Sequence, residues 1–300
     1  MSTLTKARPR LAADPQAPLW ALARIEARRM LRHPAPWIGI LMWAASNAFT
    51  LLSPPRWPTA QYQELTYSMT YLCLGVSVAT AYAFGRERSN LSEEAPMPAH
   101  HRAAARLLGC LSLVGLVALA VAVGALWLRL AGGVALGVEP GRTLHAHFTS
   151  AELLQPVVLT AFAVALAAAV VHVVRHPLAA SILLFVMWFI AGPAYWVVNG
   201  PVLRWFAPVQ VQPLELNVAP PGTDPLTLPA GWLLQPPGEF QDHWARIVVV
   251  PELAAWHGVY LLGVTLLAAA VAIPVYRRRL AALGAVLAVV AVLIQASVTP

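Results

Sequence analysis

The side chains able to carry acid-base or metal chemistry are few: thirteen carboxylates, nine histidines and two cysteines in 300 residues. His145 and His147 are spaced like alternate residues of a strand, and His100 and His101 are adjacent. Neither pair has the acidic or cysteine neighbours that complete a metal site, so both read as surface histidines. Intramembrane proteolysis would ask for HExxH, a pair of aspartates within apolar segments, or a serine with a base, and no such set appears. A GxxxxGK[ST] loop is also missing and the only lysine is Lys6, so the chain carries no ATP-hydrolysing motif of its own. The remaining acids and bases of note, Glu215, Asp224, Glu239, Asp242 and His243, share one proline-rich stretch whose sequence specifies no geometry for them.

The elements that must position any such group are apolar. With 59% hydrophobic and 11% charged residues and a mean hydropathy of +0.65, the chain lies far from the roughly 25% charged residues of ordinary soluble domains. This is the composition of an integral membrane protein, and the expected fold is an all-α polytopic helix bundle in a lipid bilayer. The formal net charge of +7 would suit nucleic acid if the arginines shared a soluble face, but they flank apolar runs, where they orient helices. Nucleic acid is therefore not read as a partner. Cys73 and Cys110 both fall in apolar segments and read as small packing side chains.

Residues 1–18 contain Pro9, Pro15 and Pro18 without an apolar core of signal-peptide length, and read as a disordered cytoplasmic tail. Leu19 to His33 then reads as a helix lying in the membrane interface. Arg24, Arg28 and Arg32 form one stripe, and Leu19, Ala23, Ala27 and Met30 fall roughly opposite, with Ile25 out of pattern. Spanning segments are expected at Trp37 to Leu52, Tyr67 to Phe84, Leu107 to Leu128, Leu153 to Val174, Leu178 to Val198 and Leu253 to Val275. Leu280 to Ala296 reads as a seventh, a shallow re-entrant hairpin being the alternative. Arginines at the segment ends place the amino terminus in the cytoplasm of a multi-pass plasma (inner) membrane protein. The segment 199–252 is too long for a plain connector and carries Trp205, Phe206, Trp232, Phe240 and Trp244 among its prolines. It is expected to be an ordered external cap, with short helices where the prolines allow them.

As bounded here, no span contains an internal Asp, Glu, Lys or Arg, which disfavours ion coupling. His172 is the nearest ionisable candidate and lies close to the Arg175 end of its helix. Asn47 and Gln295 are the polar residues at depth. Interhelical hydrogen bonding is their default role, and they are also the candidate polar-path residues.

The one strongly charged interruption between long apolar runs is Arg86 to Arg106, RERSNLSEEAPMPAHHRAAAR. Arg86, Arg88, Arg102 and Arg106 near the membrane edges make it a cytoplasmic loop. Ser89, Asn90 and Ser92 can cap a short helix carrying Leu91, Glu93 and Glu94, which Pro96 and Pro98 end.

In order and placement, residues 19 to 275 resemble the permease subunit of an ABC-2 type (type V) ABC transporter. Glu26 to Pro34, EARRMLRHP, is similar to the family's elbow wording ExRRxLRxP. The sequences Arg86-Glu87-Arg88, Pro96-Met97-Pro98 and Arg102 to Leu108 resemble its coupling stretch. Two features depart from the pattern: Ser89-Asn90-Leu91-Ser92 stands where Gly-Thr often follows the ER pair, and a seventh apolar segment follows the usual six. The resemblance implies an interfacial elbow helix (Arg24, Arg28, Arg32) and an ATPase-coupling loop (Arg86, Glu87, Arg88, Leu91, Glu93, Glu94, Met97). It also implies a separate cytoplasmic P-loop ATPase that holds ATP and magnesium, and a second permease chain as homo- or heterodimer partner. The permease chain itself would bind no cofactor. Two other readings are a membrane-embedded transferase with its site in the external segment and a non-catalytic membrane scaffold.

Overall fold

Prolines and capping side chains set where the apolar runs become helices. The computed structural model describes residues 17–54, 57–86, 97–197, 201–209, 212–239 and 241–300, with the backbone alone at 17, 191–197 and 201–203. The helices are α1 (Ala17–Arg32), α2 (Pro34–Leu52), α3 (Ala60–Tyr67), α4 (Met69–Gly85), α5 (Ala99–Leu130), α6 (Ser150–Val174), α7 (Pro177–Val197), α8 (Pro201–Phe206), α9 (Pro251–Ala272) and α10 (Arg277–Val298). Among the described residues, five short strands join them: β1 (Val134–Leu136), β2 (Thr143–Ala146), β3 (Leu214–Ala219), β4 (Leu233–Gln235) and β5 (Trp244–Val248).

Pro34 and Pro251 open α2 and α9 where the missing N–H costs nothing. Thr149 and Glu152 form a capping box on α6, and Arg175 closes that helix in the left-handed region at φ 63°. Among the described residues, six helical segments are long and apolar enough to cross a membrane: Pro34–Leu52, Ala60–Gly85, Ala99–Leu130, Ser150–Val174, Pro251–Ala272 and Pro274–Val298. This is the make-up of a multi-pass membrane protein. The fully described part of α7, Pro177–Ile190, is a shorter apolar helix.

The centre of the bundle is α4 and α6, with Leu72, Val76, Ala79, Leu159, Ala163 and Ala167 fully buried. Glycine lets the backbones meet. A Cβ on Gly75 would fall 2.4 Å from the Ala35 carbonyl oxygen, so α2 and α4 cross in direct backbone contact. The final apolar segment is a 22-residue helix laid along α9, and a Cβ on Gly263 would meet the Ala288 nitrogen at 2.6 Å.

Two expectations change. The second apolar segment begins its helix at Ala60, not Tyr67. AQYQEL has good helix propensity, and Ser68 bends the chain without ending the helical path. The segment after α7 has short helices at α8 and at Pro225–Thr227, and among its described residues it adds an unexpected sheet of order β3-β5-β4, antiparallel throughout. Prolines 213, 220 and 236 flank the strands and confine them. An antiparallel β1-β2 hairpin joins this sheet through the Val138 amide, which donates to the Leu234 carbonyl at 3.0 Å. Residues 1–16, the greater part of the tail segment 1–18, lie outside the described residues.

Candidate functional site

The described part of the charged junction is built from α1, the end of α4 and the start of α5. The helical period of α1 buries Ala23, Glu26 and Met30 and leaves Arg24, Arg28 and Arg32 exposed, with Ile25 on the exposed side. Glu26 is the unexpected member, a carboxylate 2% exposed on the buried face. It is neutralised from two directions: Arg29 reaches one oxygen at 3.0 Å and Arg86 the other at 2.8 Å. Gly109 of α5 makes the room, since a Cβ there would lie 2.7 Å from Glu26 Cβ and 2.8 Å from the Ala23 carbonyl oxygen.

Arg106 is buried nearby in α5, and Arg102 donates to the Met97 carbonyl at the start of that helix. His33 caps α2 by accepting from the Ala35 amide at 3.2 Å. Burial holds its imidazole below the ordinary histidine range, and the Arg86 charge lowers it further. Arg86 and Met97 of the expected coupling residues are therefore placed. Glu87, Arg88, Leu91, Glu93 and Glu94 lie outside the described residues.

The helices carry more polar groups than the apolar runs themselves, because they extend beyond those runs. Extending α3 to Ala60 brings in Glu64, and starting α6 at Ser150 brings in Glu152. Glu152 is 4% exposed and fully engaged: the Tyr62 hydroxyl reaches its oxygens at 2.9 and 3.0 Å, and the Thr149 amide and hydroxyl at 2.8 and 2.7 Å. His257 of α9 lies deeper than His172, which is exposed as its position suggested.

Asn47 donates to the Trp43 carbonyl and to Ser68 Oγ, both at 2.8 Å, tying α2 to the α3-α4 bend. Gln295, fully buried, bonds His257 Nδ1 at 3.1 Å and donates to the Trp205 carbonyl at 3.5 Å. These two residues occur at separate helix-helix contacts. A polar residue inside an apolar run was the usable signal for both.

Among the acids and bases of the strand-bearing end, His243 lies within electrostatic reach of Glu215. Glu215 on β3 accepts from Gln63 at 3.4 Å, and burial pushes its carboxyl above the usual range against the opposing Arg204 charge. Asp224 caps a 3-10 turn by accepting from the Leu226 amide at 3.0 Å, and His243 meets Asp242 at 3.3 Å. Glu239 is exposed. Among the described residues no group of three or more His, Cys, Asp and Glu converges. His145 bonds the Gly132 carbonyl at 2.9 Å, and His100 and His101 stack edge to face. Cys73 and Cys110 are buried free thiols.

Two cavities stand out. One of about 190 Å³ is apolar and lies between α6, α7 and α9, lined by Phe162, Trp188, Phe206 and Tyr260. The other, about 610 Å³, opens at the strand end between Trp57, Glu139, Arg142 and Trp244. No family model matches the chain, and no curated protein matches it either.

Proposed function

We propose that the chain is the membrane-spanning permease subunit of an ATP-driven exporter of the ABC-2 type, coupled to a separate cytoplasmic P-loop ATPase. The observation that carries the reading is the Glu26 junction. Arg86 is the first residue of the charged stretch between α4 and α5, and its guanidinium is held at 2.8 Å by a buried carboxylate on α1. A motor grasping that stretch would displace α4, α5 and α1 together, because one ion pair and one glycine contact bind the three helices. In this reading α1 is the elbow helix, its exposed Arg24, Arg28 and Arg32 facing lipid headgroups. The strand-bearing segment is the external cap.

The apolar helices supply seven crossings, with α7 and α10 included, and the cytoplasmic face is the one bearing α1, Arg175 and Arg277 to Arg279. A second permease chain completes the path. ATP and magnesium belong to the ATPase partner, and no residue of this chain is assigned to them.

The test is co-purification. Full-length chain extracted in mild detergent retains a P-loop ATPase, and replacing residues 87–96 by a Gly-Ser linker of equal length releases it. An ATPase retained by the linker variant, or absent from the unmodified chain, overturns the assignment. So does labelling of Ser92→Cys from outside sealed cells.

A further inference from the structure

The apolar cavity between α6, α7 and α9 offers an occupant no free side-chain donor among its described residues. Trp188 Nε1 donates to Ser77 Oγ at 2.9 Å, and the Tyr260 hydroxyl donates to the Phe206 carbonyl at 3.2 Å. The other lining side chains are Phe, Leu, Met, Pro and Val, and carry no N–H or O–H. A group that shed water to enter would regain no hydrogen bond from them. No carboxylate lines the cavity, so a cation would have ring faces alone. The chemistry that fits is hydrocarbon.

Its place decides which hydrocarbon can reach it. α6 is the floor, and α7 and α9 both pack on α6 while, among the described residues, making little contact with each other. Phe206 and Pro208 close a further side. Leu166 and Val264, the lining residues nearest the ends of α6 and α9, are about eight residues and so roughly 12 Å from Val174 and Ala272. α6 and α9 are long and apolar enough to span, and a bilayer core is about 30 Å thick, so the cavity lies near its middle, where acyl chains end. Met187 and Phe206 are exposed at its mouth, beside exposed Phe189 and Ile190 of α7.

The walls are stiff. Phe162 meets Trp188 edge to face at 80°, and Phe206 meets Tyr260 at 86°. At about 190 Å³ the space exceeds the apolar cavity of about 150 Å³ that stays dry and takes benzene. It holds the last several carbons of a chain but not an α-helix, which is about 10 Å across.

We infer that the cavity is a lipid site, holding the methyl end of one acyl chain of a bilayer phospholipid between α6, α7 and α9. It stands on the helix packing and is independent of the permease reading.

The full-length chain in phosphatidylcholine nanodiscs is irradiated with a tracer phosphatidylcholine whose diazirine sits at the methyl end of one chain, and separately with one whose diazirine sits beside the ester. Labelled residues are mapped by mass spectrometry. The methyl-end probe is expected to label Met187, Phe206 and Val264 well above Val286 and Val289, which are exposed near the middle of α10 and report ordinary lipid contact. The ester-end probe gives no such excess. Val264→Phe fills the space of about two methylenes and lowers the excess roughly tenfold, with labelling of α10 unchanged. If that variant does not fold, Leu166→Phe is read in its place, with the same fall expected. Equal labelling of cavity and α10, an excess from the ester-end probe, or an excess that survives filling overturns the site. Loss of the excess in nanodiscs carrying two chains shows that a second copy covers the cavity, and overturns it too.

Discussion

Gly284→Leu is expected to separate α10 from α9 and to lower the unfolding free energy by about 3 kcal/mol, the upper part of the range for overpacking a tight contact. The reason is reciprocal backbone contact. A Cβ on Gly284 would lie 2.7 Å from the Gly263 carbonyl oxygen and 3.0 Å from the Leu267 nitrogen, and one on Gly263 would lie 2.8 Å from the Gly284 oxygen. Backbone atoms on both sides cannot swing away as a side-chain tip can, so relief requires moving a helix. Moving it also strains the buried Gln295 to His257 bond at 3.1 Å, farther along the same contact.

Gly115→Leu is the matched control, because nothing lies within 4 Å of a Cβ there and its expected cost is within about 0.5 kcal/mol. Thermal unfolding of both variants in the same detergent decides the matter. Equal melting temperatures would show that α10 is a loosely attached segment and not a packed member of the bundle.

That helix marks how far the sequence could be read. Its apolar length was visible, but whether it packs was not, because Gly263 and Gly284 are far apart in sequence and only the paired helices bring them together. The spans of α2, α5, α6 and α9 followed from long apolar runs flanked by Arg and Pro, signals that lie within a single segment. The strands were missed for a similar reason. In β5 the alternation of buried Ala245 and Ile247 with half-buried Trp244, Arg246 and Val248 is a period-two pattern, but five residues of it are outweighed by the surrounding prolines.

The junction was legible in part. The stripe of Arg24, Arg28 and Arg32 gave the exposed face of α1, and the same period places Glu26 between Ala23 and Met30 on the buried one. A charge in that position reads as a pattern error until its partners are known, and Arg86 is 60 residues away. Glu64 escaped for another reason. Hydropathy placed the start of the span at Tyr67, while helix propensity carries the helix back to Ala60 and the acid with it.

Glu26→Lys is expected to cost about 3 to 5 kcal/mol, the cost of leaving a buried charge without a partner. The new ammonium would occupy a place whose side chain is 3% exposed, facing Arg29 and Arg86. Both arginines are about half exposed, 54% and 47% by side chain, so solvent tempers their repulsion, and most of the cost is desolvation of the lysine itself. Glu26→Gln separates charge from packing. It keeps the volume beside Gly109 and can accept one hydrogen bond, so about 1 to 3 kcal/mol is expected. A double-mutant cycle of Glu26→Gln with Arg86→Gln isolates the link between α1 and the end of α4, with a coupling of about 0.5 to 3 kcal/mol. On the permease reading the glutamine variant folds and still holds its ATPase, yet loses most cargo-stimulated ATP hydrolysis, because α1 no longer follows α4. Additive effects in the cycle together with full stimulation would mean that the ion pair does not link α1 to α4 and that force reaches the bundle by another route.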